Sequence, residues 1–372
     1  MSDQMRAEPG TVRLAQPHNA TIEENEAKGT VPLAVSCENR HFPQRPVFFH
    51  AHPDDETLST GALILELAER ARVALVTATR GERGEMVDGP LAALAGTPEL
   101  AVHRDEELEA ACAVLGVGVR AYLGEPPARV GAGGGYGDGS SGLVLPHSYV
   151  GQSGQTNRPR ICESLSRSDG PLEPSPRSRT NRPHVRRPDE PSPDSQAKGT
   201  VPESATPQTR IYSDSGMRWV TPTVAGPASD SHPGDLAAAP VGEAAADLAA
   251  FVAWFGGDAL VSYDEDGGYG HPDHVACHRI AARAAALAGI LFVMVVSPTR
   301  YDPANPRQTV WPLSHRLGGL RRALACYPSQ FRIDGDAVVH PGGQRQEIVA
   351  DVVTETYTFS GFDEAWSVSA EK

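Results

Sequence analysis

Two short stretches hold most of the residues able to do chemistry. The first is His52-Pro53-Asp54-Asp55-Glu56, which follows the apolar run Val47-Phe48-Phe49. The second is Tyr269-Gly270-His271-Pro272-Asp273-His274, which follows Ala259-Leu260-Val261-Ser262-Tyr263. His52 and Asp55 stand three residues apart, so one turn of chain can aim both at a single point. Imidazole with carboxylate is half of a ligand set for zinc or another divalent metal. Asp54, beside Asp55, cannot point the same way and is free to act on a metal-bound water. The second stretch offers two more histidines and another carboxylate. Alone, His-Pro-Asp-Asp-Glu would also suit a plain first helical turn, which favours Pro, Asp and Glu. A second His-Pro-Asp turn in the same setting argues for chemistry.

That setting is strand, polar loop, helix. The short Val/Phe-rich run reads as a buried strand, and Leu63, Ile64 and Leu67 then share one face of a helix. Open α/β sheets present chemistry at the carboxyl ends of their strands. In a parallel sheet both loops would emerge at the same edge.

The pair of motifs resembles the zinc-dependent GlcNAc-phosphatidylinositol de-N-acetylases, the PIG-L or LmbE-like family, whose bacterial members include the deacetylase and the amidase of mycothiol metabolism. Further matches are Thr79-Arg80-Gly81-Glu82-Arg83-Gly84-Glu85, Arg104 ahead of an Ala/Leu helix, and Tyr212-Ser213-Asp214-Ser215-Gly216-Met217. The resemblance covers about 45–124 and 210–330. It implies one Zn²⁺ per chain held by His52, Asp55 and His274, with Asp54 as general base. His271 would face the oxyanion and protonate the leaving amine, and Asp273 would hold His271 in its charged form. Tyr269 is a candidate oxyanion donor, and Arg104 and Asp214 would bind sugar hydroxyls. The implied reaction is removal of an N-acetyl group from a small glucosamine-containing glycoside such as GlcNAc-inositol. The competing readings are an amidase for a larger N-acyl glucosaminyl conjugate, a non-haem iron enzyme and an inactive remnant. Two histidines and a carboxylate suit non-haem iron too, but such enzymes usually stand on β-barrels.

The chain has 372 residues, and 33 Lys+Arg against 47 Asp+Glu leave a formal charge of −14. An acidic balance argues against nucleic acid or anionic membrane as the main partner. No apolar run approaches the ~20 residues of a membrane span. The first 25 residues are polar, unlike a signal peptide, and a cytoplasmic location is expected. The five cysteines, Cys37, Cys112, Cys162, Cys277 and Cys326, are scattered and fit a reducing compartment.

Residues 1–44 read as a mobile tail. Strands and helices then alternate through 45–124, with helices expected at about 57–71 and 98–115 and strands at 73–79 and 120–124. From 125 to 209 the sequence is rich in Pro, Gly, Ser and Arg and lacks apolar periodicity, so a low-complexity disordered insert is expected. Order should return over 210–372, with helices at about 242–255, 273–288 and 313–325 and a strand at 291–296. Residues 264–268 read as a flexible approach to Tyr269. The last 40 residues are expected to add an antiparallel edge. The predicted fold is a Rossmann-like α/β domain, a mostly parallel sheet with helices on both faces, interrupted by that insert.

Overall fold

The computed structural model describes residues 43–130, 209–221, 223–297 and 300–359. The expected tail up to residue 42 and most of the expected insert lie outside the described residues.

In chain order the elements begin with β1 (Pro46–His50), α1 (Asp55–Ala68), β2 (Ala74–Thr77), α2 (Pro98–Leu115) and β3 (Val119–Tyr122). A hairpin of β4 (Met217–Thr221) and β5 (Val224–Pro227) precedes α3 (Val241–Phe255), β6 (Ala259–Tyr263), the single turn α4 (Gly267–Gly270), α5 (Pro272–Ala288) and β7 (Leu291–Val295). The chain then forms β8 (Gln308–Trp311), α6 (Leu317–Leu324), β9 (Arg332–Asp334), β10 (Ala337–Val339), β11 (Arg345–Glu347) and β12 (Val352–Tyr357).

The main sheet has seven strands in the order β3-β2-β1-β6-β7-β12-β8. The first five run parallel, and β12 is antiparallel to both its neighbours. The expected α/β class and mostly parallel sheet are therefore present. The C-terminal strand differs from expectation. It lies inside the sheet between β7 and β8, which leaves β8 at the edge, and Val338 and Val339 belong to a separate three-stranded sheet, β11-β10-β9. The last expected helix is shorter, a 3-10 turn at Ser314–Arg316 running into α6.

The middle of β1, Val47-Phe48-Phe49, is apolar because the strand is covered on both faces. Phe48 packs with Leu63, Leu67, Leu115 and Tyr327 on one face, while Val47 and Phe49 pack with Phe251, Phe255 and Ile280 on the other. Alternate side chains of a strand point to opposite faces, so a strand covered on both faces is mostly apolar. The buried exception, His50, has its Nε2 2.9 Å from Thr60 Oγ1. Each such buried Phe or Leu is worth about 1.5–3 kcal/mol. Helix α6 approaches α1 closely, since a Cβ on Gly61 would lie 2.8 Å from Leu320 Cδ1 and one on Gly319 would lie 2.8 Å from Leu65 Cδ1.

The strand order places the two motifs together. From β1 the chain winds outward through β2 and β3, then returns to place β6 on the other side of β1. Phe48 stands opposite Val261 in that register. The β1/β6 boundary is therefore the point where strand order reverses, and the crevice beyond the carboxyl ends there is the usual ligand site of open α/β sheets. Both His-Pro-Asp loops leave the sheet at this boundary.

Candidate metal centre

The loop after β1 makes a sharp, specific turn. Asp54 has φ 109° and ψ −32° and is the one non-glycine residue at positive φ among the described residues. Such a conformation persists only when the surroundings enforce it. Here the Asp54 N–H donates to Glu56 Oε2 at 3.1 Å, and its carbonyl accepts from Thr57 and Leu58 at 2.9 Å each. Glu56 is itself fully buried and accepts from Tyr327 Oη at 2.5 Å and from Thr57 Oγ1. Gln330 Nε2 donates to the Pro53 carbonyl at 2.8 Å. Segment 327–330, from far along the chain, thus clamps the first motif from below.

Asp55 is the hub of the pair of motifs. Its Oδ2 accepts from the His52 backbone N–H at 2.9 Å and lies 3.1 Å from His52 Nδ1. Its Oδ1 lies 3.3 Å from His274 Nε2. His274 stands in the first turn of α5, and its Nδ1 donates to the Gly267 carbonyl at 3.1 Å. That bond fixes the tautomer and leaves the Nε2 lone pair facing the cluster, the usual orientation of a metal-ligating histidine. Nε2 is buried and has no hydrogen-bond partner. Ligand atoms of His52, Asp55 and His274 all lie within 4.8 Å of one another, and so do those of His52, Asp214 and His271. The two groups share His52.

Three carboxylates surround the His52 imidazole. Besides Asp55, its Nε2 is 3.1 Å from Asp273 Oδ2 and 3.6 Å from Asp214 Oδ1. Burial opposes a charge on this ring, yet Asp214, Asp273 and Asp55 hold its pKa well above the ordinary value. Asp55 is pushed up by burial, but His274 and His52 outweigh that and keep it well below the carboxylate range. A buried pocket with this excess of carboxylate and an unpartnered imidazole nitrogen is chemically matched to a divalent cation. The residues present fit a bound metal.

Asp54 differs from its neighbour. Burial, and then the charges of Asp55 and Glu56, raise its pKa well above the usual value. His271 moves the other way, down to about 3, through burial and the adjacent His274 and His52. The Asp273 backbone N–H donates to His271 Nδ1 at 3.1 Å, so the neutral ring carries its proton on Nε2.

Two expected partnerships are replaced by others. The Asp273 carboxylate does not hold His271. It accepts from the Ser215 N–H at 2.9 Å and from Ser215 Oγ, and it faces His52. Arg104, expected to meet sugar hydroxyls, is engaged within the chain. It is 2% exposed, and its guanidinium donates to the Gly81 carbonyl and to the Glu85 carbonyl at 2.9 Å. A Cβ on Gly84 would strike that guanidinium, which explains the glycines of the 80–85 loop. Asp214 is buried beside His52, accepting from Arg83 N–H at 3.1 Å and Gly216 N–H at 2.7 Å. Nor is the stretch after β6 a loose approach. Asp264 is 1% exposed and accepts from Gly268 N–H at 3.0 Å and Ser297 N–H at 3.1 Å. Of the free cysteines, Cys112 and Cys277 are buried, and neither belongs to the ligand groups.

Tyr269 stands at the rim, its ring centroid 5.1 Å from that of His274 and 6.2 Å from that of His271. Sequence reasoning missed several supports of the site. Tyr263 ends β6 and lies under His274; its place at the carboxyl end of a parallel strand was an available signal. Glu56 sat inside the first motif. Ser215 sat inside the 212–217 match, whereas Tyr327 and Gln330 carried no local signal.

Residues 47–140 match the family model described as PIG-L, GlcNAc-PI de-N-acetylase. The chain is thus similar to the PIG-L family over its first part. Its relatives include the 1D-myo-inositol 2-acetamido-2-deoxy-alpha-D-glucopyranoside deacetylases of a Nocardioides species and of Thermobifida fusca. The first is 32% identical over 67% of this chain and 56% of its own length, the second 31% over 66% and 55%. The chain thus spans about half the length of the curated relatives it matches. Among solved structures, it is similar to the N,N'-diacetylchitobiose deacetylase from Pyrococcus horikoshii, at 13% identity, with 77% of this chain and 72% of that one covered and a TM-score of 0.39. The zinc-inhibited form of teicoplanin deacetylase Orf2 matches at 15% identity, 86% and 100% coverage and a TM-score of 0.42. The PIG-L segment holds the first motif, and the β1/β6 pairing brings the second motif beside it.

Proposed function

We propose that this protein is a zinc-dependent N-deacetylase that removes acetate from the glucosamine nitrogen of a small glycoside such as GlcNAc-inositol, in the cytoplasm. The observation that carries the proposal is the convergence of both His-Pro-Asp loops on the unpartnered Nε2 of His274 at the strand-order reversal. The names of the relatives support the substrate class. Among the described residues, no helix is long and apolar enough to cross a membrane.

His52, Asp55 and His274 would hold one zinc ion. When bound, it would acidify a water and polarise the amide carbonyl. The remaining steps belong to the chain. Asp54 takes a proton from the attacking water as general base. The same proton is then available to the leaving nitrogen. His271, neutral at rest, offers Nε2–H to the substrate as a hydrogen-bond donor rather than as a standing imidazolium. This modifies the role that the sequence implied for it. Tyr269, on the rim, supplies a second donor to the developing oxyanion. Asp273 and Asp214 brace His52 and keep it oriented.

The test is a comparison of acetate release from N-acetylglucosaminyl-inositol with hydrolysis of a cysteinyl-glucosaminyl-inositol conjugate, alongside metal analysis of the purified protein. Faster turnover of the N-acetyl glycoside is expected. Preference for the conjugate would favour the amidase reading, and absence of bound metal would end both.

A further inference from the structure

The hairpin of β4 and β5 carries an exposed apolar surface next to the metal centre. Trp219 is 39% exposed, and Val220 and Val224 are more exposed still. The Trp219 ring stacks on Tyr269, with centroids 5.8 Å apart and 27° between planes. Tyr269 in turn abuts His274 and His271. The hairpin is locked to this rim by a close backbone approach. Gly270 has φ +90°, and a Cβ there would lie 2.8 Å from the Ala225 carbonyl oxygen. Only glycine meets both demands at that position. The aromatic pair is therefore a fixed wall that starts at the metal ligands and leads outward.

We propose that Trp219 is the wall of a second subsite, one that takes the apolar C–H face of the ring attached to the glucosamine. This inference rests on the deacetylase reading above. An acetyl group is two carbons long, too short to reach past Tyr269 to Trp219. Whatever spans the distance from the scissile amide to the indole is the larger half of the substrate, the amine-bearing glycoside. A flat, uncharged aromatic face matches the apolar face of a saturated polyol ring. Its hydroxyls, which point around the ring edge, stay in water. Such a surface adds affinity through contact area without demanding particular hydroxyl partners. Trp219 thus acts on the choice of aglycone, while the amide chemistry remains with the loops after β1 and β6.

The experiment uses the full-length, metal-loaded protein and the variants Trp219→Ala and Trp219→Phe. Steady-state kcat/KM is measured for N-acetylglucosaminyl-inositol and for N-acetylglucosamine itself. The ratio of the two should fall about ten-fold in Trp219→Ala, through KM for the glycoside, and recover most of the way in Trp219→Phe. An unchanged ratio would overturn the proposal, because the indole would then touch neither ring or act only through Tyr269. Calorimetric binding of the deacetylated pair, glucosaminyl-inositol against glucosamine, gives the same comparison without turnover. If no substrate is hydrolysed, the deacetylase reading fails, while a binding preference for the glycoside that Trp219→Ala removes still supports the subsite. Equal or absent binding of the two sugars by the wild-type protein would reject it. A third arm uses N-butanoyl and N-hexanoyl glucosamine. A Trp219→Ala effect that grows with acyl length would place the acyl group on the indole and overturn the assignment.

Discussion

The Tyr263 ring lies flat against the His274 imidazole, with centroids 4.3 Å apart and 10° between planes. Its hydroxyl oxygen accepts the Ala51 N–H at 3.0 Å, and burial together with the nearby Asp55 charge raises its pKa well above the ordinary value. One side chain therefore sets the tilt of one proposed ligand and holds the residue just before another, His52. Replacing Tyr263 by Phe keeps the stack and removes the hydroxyl. Metal affinity, measured by competition with a chelator, should fall about ten-fold, the lower end of what loss of a ligand's supporting bond costs. Unchanged affinity would mean that packing alone orients the ligands.

The proposed division of labour between adjacent aspartates is testable by metal content. His52→Ala, Asp55→Ala and His274→Ala should each purify with little zinc. Asp54→Ala should retain zinc near one equivalent and lose at least about 100-fold in kcat, the range expected for loss of a general base. Metal lost from Asp54→Ala but kept in Asp55→Ala would reverse the two roles.

Arg104 provides a case where sequence and structure lead to opposite expectations. A guanidinium that binds sugar would, on truncation, raise KM and leave the fold intact. The buried guanidinium seen here instead ties α2 to the Gly81 and Glu85 carbonyls. Arg104→Ala should therefore cost about 2–4 kcal/mol of stability in urea unfolding. It should also speed proteolysis within residues 80–87. A stable variant with a raised KM would restore the sugar-binding role.

Acid sensitivity should have an identifiable contributor far from the metal. Glu355 is buried on β12, which by itself raises its pKa. Bonds from Tyr357, Gln308, Asn305 and Arg307 outweigh that and lower it from 4.5 to about 2. The folded state therefore favours the ionised form. The stabilisation is complete above pH 4.5 and is lost as pH falls from there toward 2. Glu355→Gln should be less stable than the wild type at pH 7. The gap between their urea midpoints should narrow steadily below pH 4.5. A gap independent of pH would show that shape, not charge, is what Glu355 contributes.

Much of the site was legible because its donors sit close together in sequence. His52 with Asp55, and His271 with His274, are spaced so that a single turn presents both members of each pair. The apolar run before each pair, and the helical pattern after it, placed both motifs on strand–loop–helix units. Those readings depend only on local periodicity and on turn geometry, which neighbouring residues set. The roles of Arg104 and Asp273 were not legible in this way. A guanidinium or a carboxylate can face several partners from the same point in the chain, and the partner that wins is decided by what packs opposite.

The sequence by itself determined that an α/β chain would carry two imidazole–carboxylate turns at strand ends. Only the tertiary structure made them one site. It did so by returning β6 to the free side of β1, so that residues more than 200 positions apart face each other at the strand-order reversal. It also brought Tyr327 and Gln330 beneath the first loop, Tyr263 beneath His274 and the Trp219 hairpin against Tyr269. Local propensity acts over a few residues, whereas strand order is chosen by how the helices cover both faces of the sheet. Contacts between distant segments exist only after that choice is made.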